Sequence, residues 1–171
     1  MCIRDRLGDA NRSVELLTTK NRSLAADLAR NLDGENRRRQ DIQEKVVNEA
    51  MLKANAESNL SQDRAIVLAE YGWHPGVIGI VASRIKEEFH RPAVIIAIDN
   101  DGIGKGSARS IAGFDLYEAL TEVSGYLQNY GGHPMAAGLM LSDENFEDFK
   151  EAILSFAESH LTEEDMEPRL Q

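Results

Sequence analysis

The sequence predicts an α/β fold: a small mixed β-sheet with flanking helices, preceded by a long connector helix. Three observations predict it. Two strand-sized apolar runs, Ala65 to Ala69 and Ala93 to Ile98, enclose a helical stretch from about Ile78 to Phe89. The turn signal Asn100-Asp101-Gly102 then returns the chain as a hairpin strand over Ile103 to Ser110, so the sheet is mixed rather than purely parallel. Upstream, from about Glu35 to Asn59, there is neither Pro nor Gly, and Ile42, Val46, Ala50 and Ala54 recur every four residues.

Taken in order, residues 1–6 (Met-Cys-Ile-Arg-Asp-Arg) read as a non-native or scar segment and are set aside. Residues 7–62 read as wholly helical. Leu24, Ala25, Leu28 and Leu32 make one apolar stripe, and Asp33-Gly34 is expected to end that helix and cap the next. The long helix that follows has a narrow apolar face, with Arg37, Arg38, Arg39, Asp41, Glu44, Lys45 and Glu49 over the rest. Such a helix spans between domains or lies along one. Arg37-Arg38-Arg39 could touch nucleic acid, but a solvated face is the plainer reading.

The body is residues 63–161. Gly72 to Gly79 is a Gly-rich turn from the first strand into its helix, and Arg91-Pro92 ends that helix. Phe114 to Val123 reads as a helix with Asp115 near its start. Ala136 to Leu141 reads as a short strand after a Gly-Gly-His turn. Ser142-Asp143-Glu144-Asn145 is expected to cap a last helix to about His160, with Phe146, Phe149, Ile153, Leu154 and Phe156 at helical spacing. Residues 162–171 read as an acidic tail.

The chain has 171 residues, 42% hydrophobic and 28% charged, which suits one domain with an appendage. No apolar run reaches the length of a membrane span, and no secretory signal is visible, so no membrane partner is expected. The single cysteine, Cys2, lies in the segment set aside; disulfides and cysteine metal sites are excluded, and a reducing cytoplasm is the natural compartment. The net charge of −10 argues against a generally sticky nucleic-acid surface. It is uneven: residues 1–64 hold 12 Lys/Arg against 11 Asp/Glu, residues 65–142 hold 5 against 8, and residues 143–171 hold 2 against 10. Phosphate binding would need a small aimed site.

Three Gly-rich segments could supply it. In Gly72-Trp73-His74-Pro75-Gly76-Val77-Ile78-Gly79 the strand-to-helix turn leaves backbone amides that favour anions. Trp73 offers a stacking face and His74 a donor, although a tight turn with a core tryptophan reads equally well. In Gly104-Lys105-Gly106-Ser107-Ala108-Arg109-Ser110, Ser107 and Arg109 are two apart and face the same side of a strand. A hydroxyl beside a planar guanidinium fork makes a phosphate clamp, with Gly104 and Gly106 expected to leave room for the ligand. Lys105 is expected on the face opposite Arg109. A plain hairpin strand with an exposed arginine is the competing reading. In Gly131-Gly132-His133-Pro134-Met135-Ala136-Ala137-Gly138, small residues around His133 signal crowding by a ligand or another backbone. His133 could bond a phosphate or sugar oxygen, though a lone histidine is more often structural.

Together the three segments resemble the DHHA1 domain of the DHH phosphoesterase superfamily, in its RecJ-type branch. The family pattern Gly-Trp-His-x-Gly-Val-x-Gly-Ile-Val-Ala-Ser-Arg stands here as Gly72 to Arg84. Arg91-Pro92 precedes the second strand, Gly-Ser-x-Arg-Ser is Gly106 to Ser110 followed by Phe114-Asp115-Leu116, and Gly-Gly-His-x-x-Ala-Ala-Gly is Gly131 to Gly138. The helical part resembles the family's connector at Leu7-Gly8-Asp9-Ala10, Val14-Glu15-Leu16-Leu17 and Asn36-Arg37-x-Arg39-Gln40.

The resemblance implies a DHHA1-like fold and a part in 5′-to-3′ hydrolysis of single-stranded DNA, in repair and recombination. It implies that Ser107 and Arg109, with Gly106, form the 5′-phosphate pocket, that Trp73 and His74 also contact substrate, and that Gly131, Gly132 and His133 face the scissile phosphate. Mn²⁺ or Mg²⁺ is expected in a separate DHH domain in cis, not in this chain, which has no Asp-His-His and whose His74, His90, His133 and His160 are scattered. On this reading the chain is a fragment, with the metal domain upstream of Leu7 and an OB-like domain downstream, and is inactive alone. Residues 7–62 are then the helical end of the DHH domain plus the connector. Three other readings stay open: a DHH-family oligoribonuclease or nucleotide phosphatase, a non-catalytic interaction module, and an alanyl-tRNA synthetase-like appendage.

Overall fold

A single asparagine decides where the helical segment breaks. In the computed structural model, which describes residues 10–58 and 62–167, α1 spans Ala10–Thr18 and α2 spans Arg22–Glu57. The Asn21 side chain accepts from the amides of Ser23 and Leu24 at 3.0 and 3.2 Å, satisfying two of the orphan donors at the start of α2. The break expected at Asp33-Gly34 does not occur; α2 runs through it. Glycine inside a helix costs only about 1 kcal/mol relative to alanine. Here Asp33 pairs with Arg37 one turn on, at 2.8 Å, and Arg12 of α1 reaches Glu35 at 2.8 Å. Residues 1–9, including the segment set aside and Leu7-Gly8-Asp9, lie outside the described residues. So do Asn59 and the end of the acidic tail.

The narrow stripe behaves as its spacing requires. Val46, Ala50 and Ala54 are buried against the body, while Arg37 and Arg38 stay exposed. In the upstream stripe only Leu28 is buried, and Leu24 is exposed.

Beyond α2 come β1 (Ile66–Tyr71), α3 (Ile78–Phe89), β2 (Ala93–Ile98), β3 (Ile103–Arg109), α4 (Leu116–Glu122), β4 (Asn129–His133), β5 (Ala136–Ser142) and α5 (Phe146–His160). The sheet order is β1-β2-β3-β5-β4. β1 and β2 are parallel, as the intervening α3 crossover demands; the other pairs are antiparallel. The β2–β3 turn is held by Asp99, whose carboxylate accepts from the Asp101 and Ile103 amides at 3.0 Å, and Gly102 takes the left-handed φ of 74°. Asp115 caps α4, accepting from Tyr117 and Glu118 at 2.8 and 3.1 Å.

Two expectations fail here. Gly131-Gly132-His133 is not a turn but most of β4, and the turn falls on Pro134-Met135. Glycines are poor strand formers, but pairing with β5 supplies the order they lack. The last helix also takes no side-chain cap from Ser142-Asp143-Glu144-Asn145. Asp143 instead accepts a hydrogen bond from the Tyr71 hydroxyl, which ties the end of β1 to the turn before α5. At the other end of α5 the Arg64 guanidinium donates to the carbonyls of Glu158 and Leu161, where a cation suits the helix dipole.

Alternation divides the sheet into two faces. Val67, Ala69, Val94, Ile96, Ala108, Leu139 and Leu141 pack with Leu116 and Leu120 of α4 and Phe149 and Ile153 of α5. Ile66, Leu68, Ile95 and Ala97 face the other way, against Val46 and Ala50 of α2 and Val81 and Ile85 of α3. Each large apolar side chain so buried contributes about 1.5–3 kcal/mol. On the α2–α3 side the cover ends at β3. Past it Asn129, Gly131, His133 and Gly138 are exposed.

Candidate nucleic-acid interface

The open half of the sheet is built by strand alternation. On β3 the side chains of Lys105, Ser107 and Arg109 point to the uncovered side. Lys105 is therefore not on the face opposite Arg109, since positions four apart on a regular strand share a side. The other side of β3 carries Gly104, Gly106 and Ala108 into the core. A Cβ on Gly104 would lie 2.9 Å from Ile96 Cγ2, and one on Gly106 would lie 2.6 Å from Leu139. These two glycines leave room for core side chains rather than for a ligand, which corrects that expectation; Gly106 borders the open side through its backbone.

The register stacks three rows across β3, β5 and β4: Arg109–Ala136–His133, Ser107–Gly138–Gly131 and Lys105–Met140–Asn129. The middle row is nearly free of side chains, so it forms a flat floor between two polar rows. A Cβ on Gly131 would meet nothing within 4 Å, and one on Gly138 would be no nearer than 3.8 Å to any atom. Gly132 differs, because its Cβ would lie 2.5 Å from the Ala136 carbonyl oxygen and the Ala137 Cα. Gly132 is thus required by the close approach of β5, whereas Gly131 and Gly138 keep the floor open.

Arg109 folds back along its strand, donating from Nη1 to Ser107 Oγ at 3.1 Å and to the Ala108 carbonyl at 2.8 Å. The start of α3 closes on this pair. A Cβ on Gly79 would lie 3.2 Å from both Arg109 Nη2 and Ser107 Oγ. That first turn has no side-chain cap. Hydroxyl, guanidinium and helix start therefore converge at one end of an open groove of about 870 Å³ that also takes in the glycine floor and His133. Such a convergence is suited to an anion.

Among the predicted site residues, the groove brings together Gly106, Ser107, Arg109, Gly131, Gly132 and His133. Trp73 is not among them. Its ring is 5% exposed in the core with Val46, Ala50 and Val77, and its indole N–H donates to Glu49 at 2.9 Å. The stacking face expected of Trp73 is used up in fastening the turn to α2. His74 serves the turn as well, its Nδ1 accepting from the Gly76 amide at 2.9 Å. Gly79, Gly138 and Lys105 join the groove, although none of them was among the predicted site residues. Two-residue alternation already implied Lys105, but Gly79 needed the packing of α3 on β3. Among the described residues no group of three or more His, Cys, Asp or Glu could hold a metal ion, and no helix is long and apolar enough to cross a membrane.

The DHHA1 domain family matches residues 62–159, which takes in the whole sheet and the groove. This chain belongs to the DHHA1 domain family. The single-stranded-DNA-specific exonuclease RecJ of Bacillus subtilis is 43% identical over 164 residues, covering 95% of this chain and 21% of that protein. Its counterpart in Haemophilus influenzae is 38% identical over 178 residues, covering 97% of this chain and 31% of that protein. Among solved structures, exonuclease RecJ bound to manganese superposes with a TM-score of 0.83 at 34% identity, over 96% of this chain and 39% of that one. RecJ from Thermus thermophilus in complex with Mg²⁺ gives 0.80 at 36% identity, over 91% and 24%. This DHHA1 chain thus spans between a fifth and a third of the length of these two curated relatives, and the likeness extends through α2.

Proposed function

We propose that this chain is the substrate-gripping DHHA1 part of a RecJ-type exonuclease that degrades single-stranded DNA from its 5′ end. The observation that carries the reading is the Ser107–Arg109 pair, drawn together at 3.1 Å beside an open glycine floor. A terminal phosphate carries more charge than an internal phosphodiester, so an aimed guanidinium and hydroxyl favour the 5′ end. The strand then lies over Gly138 and Gly131, where the sheet backbone can be approached closely, and His133 stands near the scissile phosphate. Gly132 and Gly106 act by holding β4 and the core in place.

Hydrolysis itself belongs to a DHH domain in cis, within a longer protein. Mn²⁺ or Mg²⁺ held there would supply the phosphate clamp and the activated water. Among the described residues no three or more His, Cys, Asp or Glu are grouped so as to hold a metal ion, and on this reading this chain's share is to bind and orient. The likeness to RecJ relatives, and the metals bound in the RecJ structures, support this reading.

The test is binding of matched 5′-phosphorylated and 5′-hydroxyl single strands to this chain and to Arg109→Ala. The wild-type chain should prefer the phosphorylated strand, and Arg109→Ala should remove that preference. A charge-assisted contact of about 1.5–3 kcal/mol corresponds to a loss of roughly tenfold to a hundredfold. Equal loss on both ends would show a general backbone grip. Release of mononucleotides by the chain with Mn²⁺ alone would overturn the assignment of hydrolysis to another domain.

A further inference from the structure

Resting on the nucleic-acid reading above, we infer that the Lys105–Met140–Asn129 row receives the base of the 5′-terminal nucleotide, the one that hydrolysis releases. That reading puts the 5′ phosphate at Ser107 and Arg109 on β3 and the scissile phosphate near His133 on β4. Arg109 and His133 lie on one row, with Ala136 of β5 between them. Two interstrand steps separate them, about 9–10 Å. With both side chains reaching inward, one sugar-phosphate repeat bridges the gap. The backbone of the terminal nucleotide therefore runs across the strands along this row, and its base leaves the row to one side. On one side β4 and β5 join at Pro134-Met135, where these strands end. The floor extends the other way, over Gly138 and Gly131, and two residues further along the strands, about 6.6 Å, it reaches Lys105, Met140 and Asn129.

The chemistry of both rows suits a base. At Gly138 a Cβ would be no nearer than 3.8 Å to any atom, and at Gly131 it would meet nothing within 4 Å. A planar ring can lie on this backbone without displacing a side chain. Met140 is half-buried on the groove side of β5 and offers the ring a soft, polarizable contact. Lys105 and Asn129 flank Met140 in the row, both exposed on the groove side of their strands. Lys105 donates only, which suits acceptors such as guanine O6 and thymine O4; Asn129 donates and accepts, which suits adenine and cytosine as well. The row can therefore hold any of the four bases. Among the described residues no carboxylate pairs with Lys105, so its ammonium is not committed to the protein.

The experiment titrates two ligands, 5′-phosphorylated trithymidylate and the same strand with an abasic residue at its 5′ end, into the wild-type chain, Lys105→Gln, Met140→Ala, Met140→Leu and Arg109→Ala. The wild-type chain should bind the intact strand roughly twofold to tenfold more tightly, the scale of a soft contact to one ring. Lys105→Gln and Met140→Ala should each reduce that advantage by weakening the intact strand, while binding of the abasic strand stays unchanged and shows that the phosphate site is still formed. Met140→Leu, which keeps an apolar side chain of similar size, should retain most of the advantage. Arg109→Ala should weaken both strands alike. Equal wild-type binding of the two strands would overturn the base subsite. So would loss on both strands in Lys105→Gln and Met140→Ala, which would put the row at a phosphate, and so would no loss on either. In each of these cases a continued loss in Arg109→Ala leaves the proposed function standing. If the wild-type chain binds neither strand, the proposed function itself fails and takes this inference with it.

Discussion

Gly131 and Gly132 are neighbours on β4, yet replacing each with alanine is expected to have opposite consequences. At Gly132 the new Cβ would sit 2.5 Å from the Ala136 carbonyl oxygen and the Ala137 Cα, and 2.7 Å from the Ala137 Cβ. The obstructing atoms belong to a strand, not to a flexible side-chain tip, so β4 must move off β5. Overpacking of this kind costs about 1–3 kcal/mol, which in a domain of this size lowers Tm by roughly 2–12 °C. At Gly131 the Cβ would meet nothing within 4 Å, and its φ is not positive. Alanine there should raise stability by about 0.4–1 kcal/mol, by restricting the unfolded chain. Its methyl would stand on the groove floor, however, and should weaken binding of a 5′-phosphorylated single strand roughly fivefold to a hundredfold if the displaced ligand meets a comparable clash of about 1–3 kcal/mol. Thermal unfolding and a binding titration on the same two variants check both halves. Undiminished binding by Gly131→Ala would refute the glycine floor, and a loss of stability matching Gly132→Ala would refute the distinction between the two positions.

Other substitutions probe the places where structure and sequence part. Gly34→Ala should raise stability by about 0.5–1 kcal/mol, because Gly34 lies inside a continuous helix with open space at its Cβ; a lower Tm would mean that the helix does bend there. Trp73→Ala should cost about 3–5 kcal/mol through the cavity left against α2, read by chemical denaturation. Trp73→Phe keeps most of that packing and should bind single strands like the wild type, whereas a selective loss of binding would return Trp73 to the substrate site.

What was legible in the sequence is what local chemistry governs. The bounds of α3 and β2 follow from apolar runs flanked by Gly and Pro, the β2–β3 turn from Asn100-Asp101-Gly102, and the α4 cap from Asp115, since each depends on atoms only a few residues apart. The pairing of Ser107 with Arg109 was legible for the same reason, because alternation alone sets the two side chains on one side of β3. Tertiary structure decided the rest. β4 is a strand because β5 pairs with it, although its own residues read as a turn. Trp73 faces the core because Glu49, on a helix 24 residues upstream, accepts its N–H. The glycines show the division most plainly. Gly104, Gly106 and Gly132 make room for the protein's own atoms, while Gly131 and Gly138 leave room for something else. Nothing in a glycine's flanking sequence tells these roles apart. The atom that would meet the missing Cβ is chosen by strand order and register, and those are set by which distant segments bury their apolar faces against one another.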